Sequence, residues 1–404
     1  MPRLQAAHTE LPMPSSEPII WQFSLSTVNA IMWVALLLLA LWFGFRLRWG
    51  RLVALVAFLT FDLIVFGGFV RLTDSGLGCP DWPGCYGQLL PAQASAQINQ
   101  AIAEQGGTHG PVSHGKAWIE MLHRYLASFI GALILVMFVR ALLAQRRRSG
   151  ATLTDAATPV NWYWPALLLV VVIAQGMFGK WTVTLKLMPI VVTAHLMGGM
   201  LLLAMLLWFW TRQRQREGDT RAMTVAVSGR TRVLAWLALA VLTVQIFLGG
   251  WVSTNYAVLA CADFPGCNGS LTPQVDWAEG FAFARALGRN PDGSFLSIEA
   301  LRAIHWAHRW GALITTVVVI AAALALMRAH AALRQQAILI KLVLLAQIGI
   351  GIATVLLDQP IVLATAHNAM AALLLATLVV ATCRVSGLRE WQPFAISTNL
   401  RKQK

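Results

Sequence analysis

The chain has 404 residues, 57% hydrophobic and only 12% charged, about half the charged share of a soluble protein. That balance excludes an ordinary soluble domain, and long apolar runs in place of short alternating segments exclude a β-barrel. The net charge of +14 is gathered in short clusters between apolar runs, which marks cytoplasmic loops and argues against a nucleic-acid partner.

Residues 1–28 are polar, with Arg3 the only basic residue, and no cleavable leader is expected. Apolar spans then follow at 29–47, 52–71, 118–142, 163–184, 190–211, 231–253, 302–326, 336–357 and 361–383, about nine in all. Basic clusters fall at Arg46, Arg48 and Arg51; at Arg146, Arg147 and Arg148; at Arg212, Arg214, Arg216 and Arg221; and at Arg384 and Arg389. Placing these inside puts 72–117, 254–301 and the amino terminus outside, without conflict along the chain. The expected fold is an all-α polytopic membrane protein.

The loop CPDWPGC at 79–85 returns as CADFPGC at 261–267, and Gly68, Asp81 and Pro83 keep the same offset to Gly250, Asp263 and Pro265. The match runs on through the later helices. His123 pairs with His308, Gln175 with Gln347 and His195 with His367. The chain therefore reads as a tail and extra helix (1–51), a four-helix bundle (52–211), a cytoplasmic linker (212–230), a second four-helix bundle (231–383) and a cytoplasmic tail (384–404). Four spans per unit give the two bundles the same orientation, whereas inverted repeats need an odd number.

Four cysteines lie in the outer loops, where an oxidising compartment permits Cys79–Cys85 and Cys261–Cys267 disulfides. Zinc is the competing reading, although no histidine or third cysteine accompanies either pair at zinc-finger spacing. A disulfide here is either a staple or a redox-active pair, and the spacing fits both.

His8, His109, His114 and His330 fall in loops or termini and read as solvated. His123, His195, His308 and His367 lie inside spans at matched depth, roughly 8 Å from the outer boundary on the helical rise. One intramembrane histidine can simply hydrogen-bond a neighbouring helix. Four at one depth, two per bundle, point to bis-histidine ligation of haem between helices. Gly131, Gly198, Gly199 and Gly311 flank these sites and suit either a porphyrin or plain helix packing.

The halves differ at one place that matters. Glu120 precedes His123 by three residues and shares its helical face, while the second half has His305 at the equivalent position. Glu120 is either a working carboxylate or a charge favoured at a helix amino end. Arg124 and Arg309 follow the histidines and fit either haem propionates or interfacial anchors. Asp62 stands mid-span with Val244 as its counterpart, on a proton path or paired within the bundle.

GGFVRLTDSGLGCPDWPGC, followed by EMLHR and TAHLMGG and then by AHRWG and TAHNAM, resembles the haem A synthase family over roughly 52–383. The resemblance implies an enzyme that converts haem O to haem A for cytochrome oxidase. It hydroxylates a porphyrin methyl group successively to a geminal diol that loses water to a formyl group. Carried residue by residue, it implies that His123 and His195 bind substrate haem O. His308 and His367 would hold a resident haem b that relays electrons, and Glu120 would be the essential acid. It further implies an upstream haem O synthase (a farnesyltransferase) and an electron donor, while the expected lack of a targeting segment and the compact loops favour a bacterial inner membrane with the cysteine loops periplasmic. Family members have eight spans and some lack cysteine pairs, so the helix at 29–47 and the loop chemistry stand outside the pattern. A di-haem electron-transfer cytochrome would predict two equivalent sites. A haem carrier would predict labile ligation and a structure able to alternate.

Overall fold

The computed structural model describes residues 19–107, 110–148 and 161–387. His8, His109, Arg3, Arg389 and most of the expected carboxy-terminal tail lie outside them. Within the hydrocarbon layer each backbone polar group must be satisfied inside its own segment, which for apolar runs of this length means helices. The chain forms α1 (Ile19–Arg46), α2 (Trp49–Leu72), the short α3 (Ser95–Glu104), α4 (His114–Arg148), α5 (Tyr163–Thr184), α6 (Pro189–Arg216), α7 (Gly229–Thr254), the single turn α8 (Trp277–Gly280), α9 (Ile298–Ala329), α10 (Arg334–Leu356) and α11 (Ile361–Val385). Eight of these are long and apolar enough to cross a bilayer. The ninth expected span coincides with α1, whose described apolar part, Val34–Arg46, is shorter. Val170, Val233 and Leu345 are exposed on the outer faces, as a lipid-facing surface requires.

Helix ends follow local chemistry. Ser228 and Ser297 cap α7 and α9 by accepting the N–H of Thr231 and Ala300. Pro189 opens α6, where its missing N–H costs nothing. The α5–α6 turn holds Lys186 and Leu187 at φ of 48° and 58°, and the α10–α11 turn holds Asp358 and Gln359 at 55° and 58°. The repeat thus extends to backbone conformation.

The helices pack as two rings. In the first, α2 packs on α4, α4 on α5, α5 on α6 and α6 back on α2; in the second, α7, α9, α10 and α11 close the same circuit. The rings meet through α6 against α11, flanked by the equivalent pairs α2–α11 and α6–α7. Asn368 donates to the Ile64 carbonyl at 3.0 Å across this seam, where Gly68 leaves it room. Outside the first ring, α1 docks on α4. Ala40 is fully buried there and a Cβ on Gly44 would sit 2.2 Å from Val136. Arg140 of α4 donates to the carbonyls of Gly44 and Leu47 at 2.6 and 2.7 Å, satisfying the carboxy-terminal end of α1.

Candidate functional site

Both cysteine pairs are disulfide-bonded, with Cα atoms 4.7 and 4.6 Å apart. Each loop is braced from within by an aspartate. Asp81 accepts the N–H groups of Tyr86 and Gly87 at 2.6 and 2.7 Å, and Asp263 those of Asn268 and Gly269 at 2.6 Å each. Tyr86 and Gly87, like Asn268 and Gly269, have positive φ, which points their N–H groups at the carboxylate.

The arginines that follow His123 and His308 fasten the loops to their helices. Arg124 donates to the carbonyls of Asp81 at 2.9 Å and Gly84 at 2.5 Å. Arg309 donates to the Cys261 carbonyl at 3.1 Å and to that of Gly266. Glu120, only 4% exposed, pairs with Arg124 and accepts the N–H of Cys79 at 2.9 Å. Its counterpart His305 is as deeply buried and receives Arg309 Nε at 3.4 Å. The same wiring is therefore built with a charged pair in one half and a neutral acceptor in the other.

Below the loops lie the histidines, on diagonally opposed helices: His123 on α4 and His195 on α6, His308 on α9 and His367 on α11. Diagonal helices of a ring are farther apart than neighbours, so these side chains enter the bundle interior. His308 and His367 have ring centroids 6.5 Å apart and nearly perpendicular planes. Each histidine faces a glycine on an adjacent helix. A Cβ would lie 3.0 Å from His123 Cε1 at Gly67 and 3.6 Å from His195 Cε1 at Gly179. It would lie 3.1 Å from His308 Cε1 at Gly249 and 2.7 Å from His367 Cε1 at Gly351. Phe66 packs edge-on against His123 at 5.8 Å.

These residues fit a planar iron cofactor. The Nδ1 atoms of His123, His195 and His367 are buried without a hydrogen-bond partner, so none of these three nitrogens serves a structural hydrogen bond. Among the described residues no group of three or more His, Cys, Asp or Glu side chains is placed to hold a bare ion. Two histidines per ring, facing inward from opposite helices, suit a metal whose other ligands come from a macrocycle.

The sequence model of the COX15-CtaA family, described as cytochrome oxidase assembly protein, matches residues 50–379. The chain belongs to this family. Among curated relatives, a protein named heme A synthase from Shewanella oneidensis is 37% identical over 83% of this chain and 95% of its own length. Proteins of the same name from Rhizorhabdus wittichii and a Caulobacter species are each 30% identical, over 80% and 82% of this chain and 90% and 94% of theirs. The family match opens at the start of α2 and leaves α1 outside it.

The structure brings Glu120, Arg124 and the Cys79 loop together above His123, and Arg309 and the Cys261 loop together above His308. Asp62 is half-buried on α2 and joins neither group. His114 pairs with Asn99 at 2.8 Å and His330 accepts the Ala332 N–H, so both stay outside the rings. Of the flanking glycines, Gly311 and Gly198 face the glutamines Gln245 and Gln175, and nothing lies within 4 Å of a Cβ at Gly131. Sequence reasoning missed the four glycines beneath the histidines. Gly67 and Gly249 carried a usable signal, since they repeat at the offset that matches Gly68 to Gly250.

Proposed function

We propose that this chain is a haem A synthase, holding haem O as substrate in the first ring and haem b in the second. It oxidises a methyl group of the substrate porphyrin to a formyl group by successive hydroxylations. The observation that carries the proposal is the doubled diagonal histidine pair with a carboxylate in only one copy. Two equivalent electron-transfer sites would give no reason for that difference.

His123 and His195 bind and orient the substrate, and the Gly67 and Gly179 surfaces fix their rings. A haem b between His308 and His367 supplies one-electron transfer when bound. Glu120 is held in place by Arg124 and the Cys79 N–H, three residues from His123. Its negative charge favours positive charge developing near the substrate and gives a released proton somewhere to go. Arg124 and Arg309 grip the loops that roof the two sites, and the same guanidinium groups would meet haem propionates. The disulfide-closed loops keep those arginines in register.

The two hydroxylations remove four electrons from the methyl carbon, so the reaction requires a terminal oxidant as well as an electron donor, and an upstream farnesyltransferase, the haem O synthase, to supply the substrate. The basic clusters at the end away from the cysteine loops support a bacterial inner membrane, with the loops and amino terminus periplasmic and the carboxy terminus cytoplasmic.

The test is to purify the protein from cells making haem O and to extract its pigments. Haem b together with haem O or haem A is expected; haem b alone, with no conversion, overturns the proposal. Glu120→Ala should abolish haem A formation and leave the His308/His367 haem in place. Loss of that haem as well would make Glu120 a structural residue.

A further inference from the structure

The two rings differ around their histidines in a second way. Gln245 of α7 places Nε2 at 3.0 Å from His308 Nδ1 and 3.1 Å from the His308 carbonyl oxygen. Its Oε1 is buried and unbonded. The room for this side chain comes from Gly311, where a Cβ would lie 2.3 Å from that oxygen. At the offsets of the repeat, the first ring has Leu63 in place of Gln245 and Leu126 in place of Gly311. The glutamine and the glycine that admits it are thus both present in one ring and both replaced by leucine in the other.

The remaining histidines extend the contrast. Gln347 Nε2 lies 3.2 Å from His367 Nε2. The repeat counterpart Gln175 is turned toward Gly198 instead, and His195 Nδ1 has no partner. Each second-ring histidine therefore has a carboxamide within reach of a ring nitrogen, but of the four only His308 has a partner at Nδ1.

We infer that Gln245 is a positioning residue that fixes the ring and tautomer of His308 and makes the second ring the site of tight haem retention, while the first ring, with Leu63 and Leu126, releases its haem readily. This rests on the reading of His308 and His367 as haem ligands. For His308 to offer Nε2 to iron, its proton must sit on Nδ1. In the structure the amide nitrogen faces Nδ1 and donates to the His308 carbonyl; with the proton on Nδ1 the carboxamide turns over, so that Oε1 accepts from Nδ1 in exchange for the carbonyl contact. A hydrogen bond of this kind holds a ligating imidazole in orientation and raises its basicity, typically changing metal affinity by about 10- to 100-fold. A product-forming site gains from the opposite property, since its haem must leave each cycle.

The experiment uses full-length protein purified with its haems and measures transfer of haem to excess apomyoglobin, together with the haem midpoint potential. Gln245→Met keeps the side-chain volume and removes the amide. Haem should leave the second ring about 10- to 100-fold faster, and its potential should rise because the ligand becomes less basic. Wild-type release with an unchanged potential overturns the inference. The graft Leu63→Gln with Leu126→Gly should slow release from the first ring, and it decides the question if Gln245→Met does not fold; unchanged release then overturns the inference. His308→Ala separates the two levels. If that variant keeps the full haem complement, the ligand assignment itself fails, whatever Gln245 does.

Discussion

A ligand histidine needs a surface that holds its ring as well as a partner for its second nitrogen, and here the surface is glycine. The four distances are unequal, which ranks the substitutions. At Gly351 a Cβ would overlap His367, so Gly351→Ala must displace the ring, at a cost of about 1–3 kcal/mol, and should lower the haem content of the second ring. At Gly179 the Cβ would make an ordinary van der Waals contact, so Gly179→Ala should keep wild-type haem stoichiometry and melting temperature. Equal effects in pigment and thermal assays would contradict this account. Asp263 gives a pH prediction in the loop above. The Gly269 N–H, with that of Asn268, holds its carboxyl below the usual carboxylate range. A depressed folded-state value stabilises the loop above the ordinary carboxylate pKa of about 3.9, and that stability is lost as pH falls through the folded value. Protection of the Asn268 and Gly269 amides, measured as exchange relative to the unstructured rate at the same pH, should therefore persist at mildly acidic pH and fall below about pH 4.

Each cysteine loop is a small element held by a disulfide, an aspartate and an arginine, and their magnitudes differ. Closing a loop of about seven residues with a disulfide contributes about 2 kcal/mol by chain entropy. Removing Arg124 does more, because it strips the partner from a buried carboxylate, a loss of about 3–5 kcal/mol. Removing Arg309 leaves His305 and a set of carbonyls without a donor but strands no buried carboxylate. Arg124→Ala should thus lower the melting temperature more than Arg309→Ala, and more than Cys79→Ser with Cys85→Ser; the reverse order would show that Glu120 is not held as a charged pair. The elements themselves were largely legible in the sequence, since apolar run length alone locates the eight long helices and the doubled cysteine loop aligns the halves. What escaped depends on polar chain and on register. Helices α4 and α9 begin at His114 and Ile298, ahead of the apolar cores at 118 and 302, because their first turns carry polar residues. Arg384, read as a loop charge, is buried in α11 and donates to Gln336 at 2.9 Å and to the Ala332 carbonyl at 3.1 Å. The Gln245–His308 meeting requires the antiparallel alignment of α7 on α9, which no single helix pattern encodes.

At the scale of the molecule, the two rings share α2, α6, α7 and α11 as a common seam. Residues near its pseudo-twofold axis contact their own repeat counterparts. Arg71 Nη2 donates to the carbonyl of Ser253 at 2.8 Å, and the Tyr256 hydroxyl donates to Asp74 at 2.5 Å; both pairs are separated by 182 residues. Arg71 also pairs with Asp74 at 3.0 Å and lies over the Tyr256 ring at 4.1 Å. These contacts close the seam at the end that carries the cysteine loops, level with the roofs of both candidate sites. They join the α2 end to the α7 end. Because Arg71, Asp74 and Tyr256 all touch one another, their contributions should not add. In a double-mutant cycle of Arg71→Ala and Tyr256→Phe, the double variant should lose less stability than the sum of the single losses, with a coupling of about 0.5–3 kcal/mol. Strict additivity in thermal unfolding of the haem-loaded protein would mean that the clasp is a set of independent surface contacts and that the seam is held by the packed pairs α6–α11, α2–α11 and α6–α7.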